Sequence, residues 1–283
     1  MSETTPVPTV DLTTPTGPVP IPQLGFGVWQ VPDDEVGDAV ATALSTGYRH
    51  IDTAAMYGNE QGVGTAVQKS GLGDNVWLTT KLNNNAHGFD ETMKAFDASM
   101  DKLQRDVLDL YLIHWPLPKK DAFVESWKAM QSLRDDGKIV AIGVCNFQIH
   151  HLQRLFDETG EFPAINQIEL HPHLVQQELR DFHAEHGIVT EDWSPLASGG
   201  DVLTDPTIAE IAKAHDVTPA QAILRWHLQL GSVVIPKSVT PSRIAENFDV
   251  LGFELSSDEV AAITGLDRGT RTGPDPDEFN MGA

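Results

Sequence analysis

Four side chains of different chemistry stand where short apolar runs end or have just ended. Asp52 closes the run Tyr48–Asp52, Lys81 follows Val76–Thr80, His114 closes Leu108–His114, and Tyr57 lies in the loop beyond Asp52. A phenol with a pKa near ~10 is a weak acid at neutral pH. An ammonium beside it favours the phenolate and lowers that pKa. Lys81 would supply the positive charge, and Asp52 would keep Lys81 charged and oriented. His114 would orient a substrate oxygen and help to stabilise charge developing on it. That set is a proton donor for a carbonyl. A carbonyl that gains a proton on oxygen must gain a hydride on carbon, so a nicotinamide cofactor follows. Taken singly, each residue reads as an ordinary strand-end side chain. Their complementary roles in adjacent loops favour the catalytic reading.

These residues need elements that bring strand ends together. Eight β-rich runs appear, at Gln23–Gly27, Tyr48–Asp52, Val76–Thr80, Leu108–His114, Ile139–Asn146, Ile165–Glu169, Ile188–Trp193 and Ser232–Ile235, with helical periodicity between them. Phe89, Met93, Phe96, Met100 and Leu103 mark one helix face, with Asp90 expected as its cap. Thr218-Pro219 starts another helix. Ile139–Val144 is apolar throughout, as expected of a strand covered on both faces. Eight βα units in about 240 residues fit an α/β fold of the (β/α)8 TIM-barrel type, whose catalytic groups lie at the C-terminal strand ends. The 283 residues then form one domain, residues 1–283. A doubly wound dinucleotide-binding sheet is the alternative. Its G-x-G-x-x-G fingerprint is missing its third glycine both at Gly25–Gln30 and at Gly62–Val67, and the latter falls inside a helix. Thr13–Pro22 is expected to form a hairpin capping one barrel end. The polar tail Gly269–Ala283 is either mobile or folded over the barrel mouth.

Three motifs in this order resemble the aldo-keto reductases over nearly the whole chain, from about Leu24 to about Asp267. They are Gly47-Tyr48-Arg49-His50-Ile51-Asp52-Thr53-Ala54 with Tyr57-Gly58-Asn59-Glu60, then Leu110–Pro116 around His114, then Ile235-Pro236-Lys237-Ser238-Val239 with Arg243 and Glu246-Asn247. The resemblance implies a barrel that binds NADPH/NADP+ without a Rossmann domain. It implies Asp52, Tyr57, Lys81 and His114 as the catalytic tetrad, with Tyr57 as the acid. It places Asn146 and Gln167 at the nicotinamide carboxamide and Trp193 against the ring. Ser194, Leu196 and Ser198 fall on the pyrophosphate loop, Lys237, Ser238, Val239 and Arg243 at the 2′-phosphate, and Glu246 and Asn247 at the adenine. Val28, Trp29, Asp52, Cys145 and Ile235 complete the expected cofactor contacts. Cys145 stands where many relatives have serine, so it is either a weak hydrogen-bond partner or a small filler. Asn83-Asn84-Asn85 replaces an aromatic common in relatives, which opens or polarises the pocket. Substrate would meet Tyr57, His114, Trp29 and Trp115, the last with core packing as its other reading. Trp115–Asp121 is short, so that side of the mouth should be uncrowded. These features look like the bacterial members related to 2,5-diketogluconate reductases.

Composition narrows the partners. The net charge is −22, from 25 Asp and 16 Glu against 10 Lys and 9 Arg. Nucleic acid and anionic membrane surfaces need cationic faces, so both are disfavoured. Ser232–Ala245 has two basic residues and no acidic one, which singles it out as an anion site. Its helix start near Pro241 adds amide N–H groups. No apolar run reaches membrane-span length. Met1–Pro22 lacks the pattern of a signal peptide, and one cysteine excludes an internal disulfide. A cytoplasmic protein acting as a monomer on a small carbonyl is expected. His150-His151 and His171-Pro-His173, with Glu169 nearby, are the best metal candidates, but no carboxylate set accompanies them, so no metal is expected. Asp33-Asp34-Glu35 reads as helix-end charge. The alternative function is a redox-sensing regulatory subunit that binds the cofactor with little turnover.

Overall fold

The computed structural model describes residues 6–282; of the segments discussed above, residues 1–5 and Ala283 lie outside the described residues. Strands β1 (Thr9–Thr14) and β2 (Gly17–Pro22) form an antiparallel hairpin. Eight parallel strands follow: β3 (Phe26–Gly27), β4 (His50–Asp52), β5 (Trp77–Leu82), β6 (Leu108–Ile113), β7 (Ile139–Cys145), β8 (Ile165–Glu169), β9 (Val189–Trp193) and β10 (Val233–Val234). Each pairs with the next in chain order. The sheet closes on itself through the parallel bridge Leu24–Val234, where Gly25 N donates to Val234 O at 2.9 Å and Val234 N to Gln23 O at 2.7 Å. The helices between strands are α1 (Asp33–Thr46), α2 (Glu60–Lys69), α3 (Phe89–Leu103), α4 (Phe123–Asp135), α5 (Ile149–Thr159) and α6 (Gln177–His186). Then come α7 (Pro206–Ala214), α8 (Pro219–Gln229), α9 (Pro241–Phe248) and α10 (Ser257–Thr264).

Strand alternation divides the apolar residues into two cores. On β6, Leu110 and Leu112 point into the barrel and join Ala141, Cys145, Ile165 and Val233. Tyr111 and Ile113 point outward and pack under the helices. This is why the strands read as apolar on both faces. Leu12 and Ile21 of the hairpin belong to the inner cluster, so the hairpin stoppers the end of the barrel opposite the site. At α8, Thr218 and Gln221 form the reciprocal cap expected from Thr-Pro. Asp90 does not cap α3: Gly88 holds the cap position, and Asp90 instead places its charge in the first turn, near the positive helix end.

The second glycine pair has a packing origin. Gly62 and Gly64 lie inside α2. A Cβ on Gly62 would stand 2.4 Å from Asp33 O, and one on Gly64 would stand 2.6 Å from Leu103 O. These glycines let α1 and the end of α3 approach α2; they do not cradle phosphate. Alanine normally favours a helix interior over glycine by about 1 kcal/mol. At position 64 backbone occupies the space, so Gly64→Ala should instead cost about 1–3 kcal/mol in thermal or urea unfolding. A more stable variant would show that the α2–α3 spacing is not fixed by this contact.

Candidate active site

Asp52 is the last residue of β4, Lys81 lies near the end of β5, His114 directly follows β6, and Tyr57 ends a helical turn, Ala55–Tyr57, after β4. Asn59 pins that turn. Its Nδ2 donates to Val28 O and Val31 O, both at 2.9 Å, and its Oδ1 accepts from Thr53 Oγ1 at 2.7 Å. The four expected tetrad residues therefore converge. Lys81 is fully buried, and its Nζ donates to Asp52 Oδ1 at 2.6 Å, to Thr53 O at 2.8 Å and to Tyr57 Oη at 3.5 Å. The Tyr57 and His114 rings meet edge to face at 5.6 Å.

Burial governs the protonation of this cluster. It raises the Tyr57 phenol; the Lys81 ammonium pulls it down and Asp52 pushes it up again, and the net value is about 12. The expectation that Lys81 would lower this pKa below that of a free tyrosine is thus corrected: the cation moderates an increase that desolvation causes. Burial opposes the charge of Lys81 itself, but Asp52 and then Tyr57 outweigh it and hold the ammonium protonated. Burial, followed by the positive charge of Lys81, depresses His114 well below the usual imidazole range, so it is neutral. At pH 7 the site presents a neutral phenol, a paired ammonium and a neutral imidazole.

Next to this cluster, Asn146 adopts a left-handed backbone, φ 62°. Its Nδ2 donates to His114 O at 3.1 Å and its Oδ1 accepts from Trp193 Nε1 at 2.8 Å, which fixes the half-buried indole. Gln167 donates from Nε2 to Asp52 Oδ2 at 2.9 Å. Ser194, Ala197 and Ser198 all have positive φ, so the loop after β9 turns tightly. Within it Leu196 is half-buried. His227 holds this loop, with Nδ1 2.7 Å from Asp192 Oδ2 and Nε2 3.3 Å from Pro195 O. Val28, Cys145 and Ile235 are buried. Cys145 packs with Leu110, Leu112 and Val233 inside the barrel, as a small filler would.

At the far end, Lys237 and Arg243 are exposed and have no ion pair among the described residues. Ser238 Oγ accepts from Thr240 N at 3.1 Å, and α9 begins at Pro241. Val239 is 52% exposed. Asn247 is buried, and Glu246 accepts from Thr218 Oγ1 at 2.8 Å. Asp34, Glu35 and Asp38 of α1 line a shallow groove with Val239 and Pro241, so acidic side chains border this segment.

The tail lies over the mouth. Phe279 packs on Trp115 with ring centroids 4.3 Å apart, Asn280 Oδ1 accepts from Lys119 N, and Met281 O accepts from Asn84 Nδ2. The short segment after His114 is therefore covered, not uncrowded as its length suggests, because the tail folds over it and sets Phe279 on Trp115. Trp29 is 52% exposed and open to a ligand; Trp115 is buried under Phe279. Glu169 anchors the tail by accepting from the backbone N–H groups of Thr272 and Gly273 and from the Thr272 hydroxyl. It also contacts His171, and both His171 and His173 are buried packing residues. Asp277 joins His150 and His151, with ligand atoms within 4.8 Å of one another. Yet His151 Nδ1 accepts from Gln148 N at 3.1 Å. The ring proton is then on Nε2, the atom facing Asp277. Nε2 lacks the free lone pair a metal needs, and the trio suits a tail contact better than a metal site.

Sequence reasoning missed Glu191 and the tail residues Thr272, Gly273 and Phe279. Glu191 had a signal: it shares a strand face with Trp193 and faces the barrel interior, where a carboxyl is unexpected. The tail had none, because its contacts are set by distant partners.

A model of the aldo/keto reductase family matches residues 23–268. The methylglyoxal reductase DkgA of Escherichia coli (strain K12) is 55% identical over 261 residues, covering 92% of this chain and 94% of that one. The crystal structure of an aldo/keto reductase from Brucella melitensis superposes with a TM-score of 0.90 at 53% identity, over 94% of this chain and all of that one. A Gox0644 variant in complex with NADPH superposes at 0.91 with 47% identity, over 96% and 99% of the two chains.

The buried pair at the centre has a stability consequence. Asp52→Asn would leave Lys81 buried without its counter-charge, and should lower unfolding free energy by about 3–5 kcal/mol in urea titrations at pH 7. A loss under about 1 kcal/mol would place the pair in the class of exposed ion pairs.

Proposed function

The chain belongs to the aldo/keto reductase family, and we propose that it reduces small aldehydes and ketones to alcohols with NADPH, Tyr57 giving the proton. The observation that carries this reading is the convergence of Tyr57 on a buried, charge-paired Lys81 beside a neutral His114. NADPH, when bound, supplies the hydride to the carbonyl carbon. Tyr57 is a phenol at neutral pH, and it releases its proton only as negative charge grows on the substrate oxygen. Lys81 favours that release through its positive charge, and Asp52 keeps Lys81 protonated and in place. His114, being neutral, offers a hydrogen bond to the same oxygen without adding charge. Alcohol oxidation uses the same groups in reverse.

The residues present fit the cofactor. Trp193 is held by its hydrogen bond to Asn146, and Asn146 and Gln167 would bind the carboxamide. Ser194, Leu196 and Ser198 would line the pyrophosphate, with Val28, Trp29 and Ile235 beside it. Lys237, Ser238, Val239 and Arg243 would hold the 2′-phosphate, with Glu246 and Asn247 at the adenine. The unpaired cations support this on a chain of charge −22. Trp29 and Trp115 with Phe279 would wall the substrate site, while the Asn83–Asn85 loop makes it polar. Together with the methylglyoxal reductase relatives, this favours small carbonyls bearing a second oxygen, such as methylglyoxal. On this reading one chain supplies the whole tetrad and works as a monomer in the cytoplasm, a compartment that suits the free buried Cys145.

Tyr57→Phe should lower kcat for NADPH oxidation by methylglyoxal about 10²–10⁴-fold while NADPH still quenches tryptophan fluorescence as in wild type. Unchanged turnover would remove Tyr57 as the acid, and NADPH binding without turnover on any carbonyl would favour the redox-sensing alternative. In a second experiment, Arg243→Ala should raise KM for NADPH about tenfold or more and leave KM for NADH nearly constant. Equal changes for both cofactors would show that Arg243 does not meet the 2′-phosphate.

A further inference from the structure

Strand β9 carries a carboxyl into the barrel interior that the mechanism above does not use. Glu191 is fully buried. Its Oε2 accepts from Gln167 Nε2 at 3.0 Å, and the second N–H of the same amide goes to Asp52 Oδ2 at 2.9 Å. Its Oε1 has no hydrogen-bond partner among the described residues. One amide thus bridges two carboxyl groups, and only one of them has a cation. Lys81 is committed to Asp52, Thr53 O and Tyr57. The other groups facing Glu191 offer no counter-charge. His50 of β4 has Nε2 3.7 Å from Oε1, and burial holds its imidazole neutral, down to about 3. Cys145 of β7 is a buried thiol, and Asp192 on the same strand is acidic. A buried carboxylate with one bare oxygen beside a second anion is costly, and the acid form lowers that cost by removing the charge. Burial, then the charge of Asp52, pushes Glu191 up to about 8.

We propose that Glu191, in its acid form, is a positioning residue for the cofactor site: it fixes the Gln167 amide so that its oxygen is left for the nicotinamide carboxamide. The inference rests on the NADPH-dependent reading above. Flipping the Gln167 amide would set its oxygen against Asp52, and the second bond to Glu191 keeps both N–H groups turned inward. Gln167 Oε1 has no protein partner among the described residues and is not among the sealed, unpartnered atoms, so it remains open to a ligand. A neutral Glu191 also leaves Asp52 as the single anion serving Lys81.

The test uses the full-length protein and variants E191Q and E191L. Infrared spectra of the cofactor-free protein at pH 6 should show the carbonyl stretch of a buried carboxylic acid that E191Q lacks. The band should weaken as pH passes about 8. Because the folded-state pKa is raised from 4.5 to about 8, wild-type stability should fall with rising pH between those values, and E191Q should flatten that slope. For NADPH, followed by tryptophan quenching, E191L should raise Kd about tenfold, the worth of one good hydrogen bond, and E191Q should rescue it. A band that survives in E191Q, or NADPH binding in E191L equal to wild type, overturns the proposal. Wild-type protein that shows the band but does not bind NADPH overturns the reading beneath it, and the proposal with it.

Discussion

The buried contact between Lys81 and Asp52 is the constraint on which the rest of this structure turns. An ammonium with no solvent exposure exists only because a carboxylate, a backbone carbonyl and a phenol accept its three N–H groups. That requirement fixes the end of β4 against β5, and with it the turn that carries Tyr57. Asn59 holds the same turn from the other side, through the carbonyls after β3. The barrel, closed at the Leu24–Val234 seam and stoppered by Leu12 and Ile21, provides the dry interior that makes the pairing obligatory.

Dryness also decides how the charges behave. Burial makes Tyr57 a weaker acid than a free phenol and holds His114 as a neutral ring, while Lys81 remains charged against Asp52. A neutral acid beside a fixed cation gives up its proton when an oxyanion forms nearby, not before. The same environment keeps Glu191 protonated and lets Gln167 bridge two carboxyl groups. Away from the barrel the chain is strongly acidic, and Lys237 and Arg243 are exposed cations with no ion pair among the described residues. Acidic side chains of α1 share a groove with Val239 and Pro241, so the stretch Ser232–Ala245, free of acid in sequence, has acidic neighbours in space.

Much of this was legible in the residues. Both-face apolar runs such as Ile139–Val144 belong to a parallel sheet, and polar residues at their ends are where barrel chemistry sits. The four clustered residues could be picked out because Asp52, Lys81 and His114 stand at strand ends and Tyr57 follows one of them. What could not be read depends on pairs far apart in the chain. The tail's seat on Trp115 needs Phe279, and its anchor needs Glu169, more than 100 residues away. The direction of the Tyr57 shift was misjudged because a sequence shows the neighbouring lysine but not the depth of burial that outweighs it. Gly62 and Gly64 resemble a phosphate motif in type and spacing. Only the approach of Asp33 and Leu103 shows what they are for.

The central claim is that this dry cluster delivers a proton to a carbonyl oxygen while a nicotinamide delivers hydride to its carbon. The most direct measurement is a turnover of methylglyoxal with NADPH deuterated at the transferred position, with the alcohol product read by NMR. The account predicts one deuterium on the new carbinol carbon per cofactor oxidised, and a hydroxyl hydrogen from solvent. An alcohol whose carbinol hydrogen comes from solvent, or cofactor that stays reduced in the presence of the carbonyl, would contradict it.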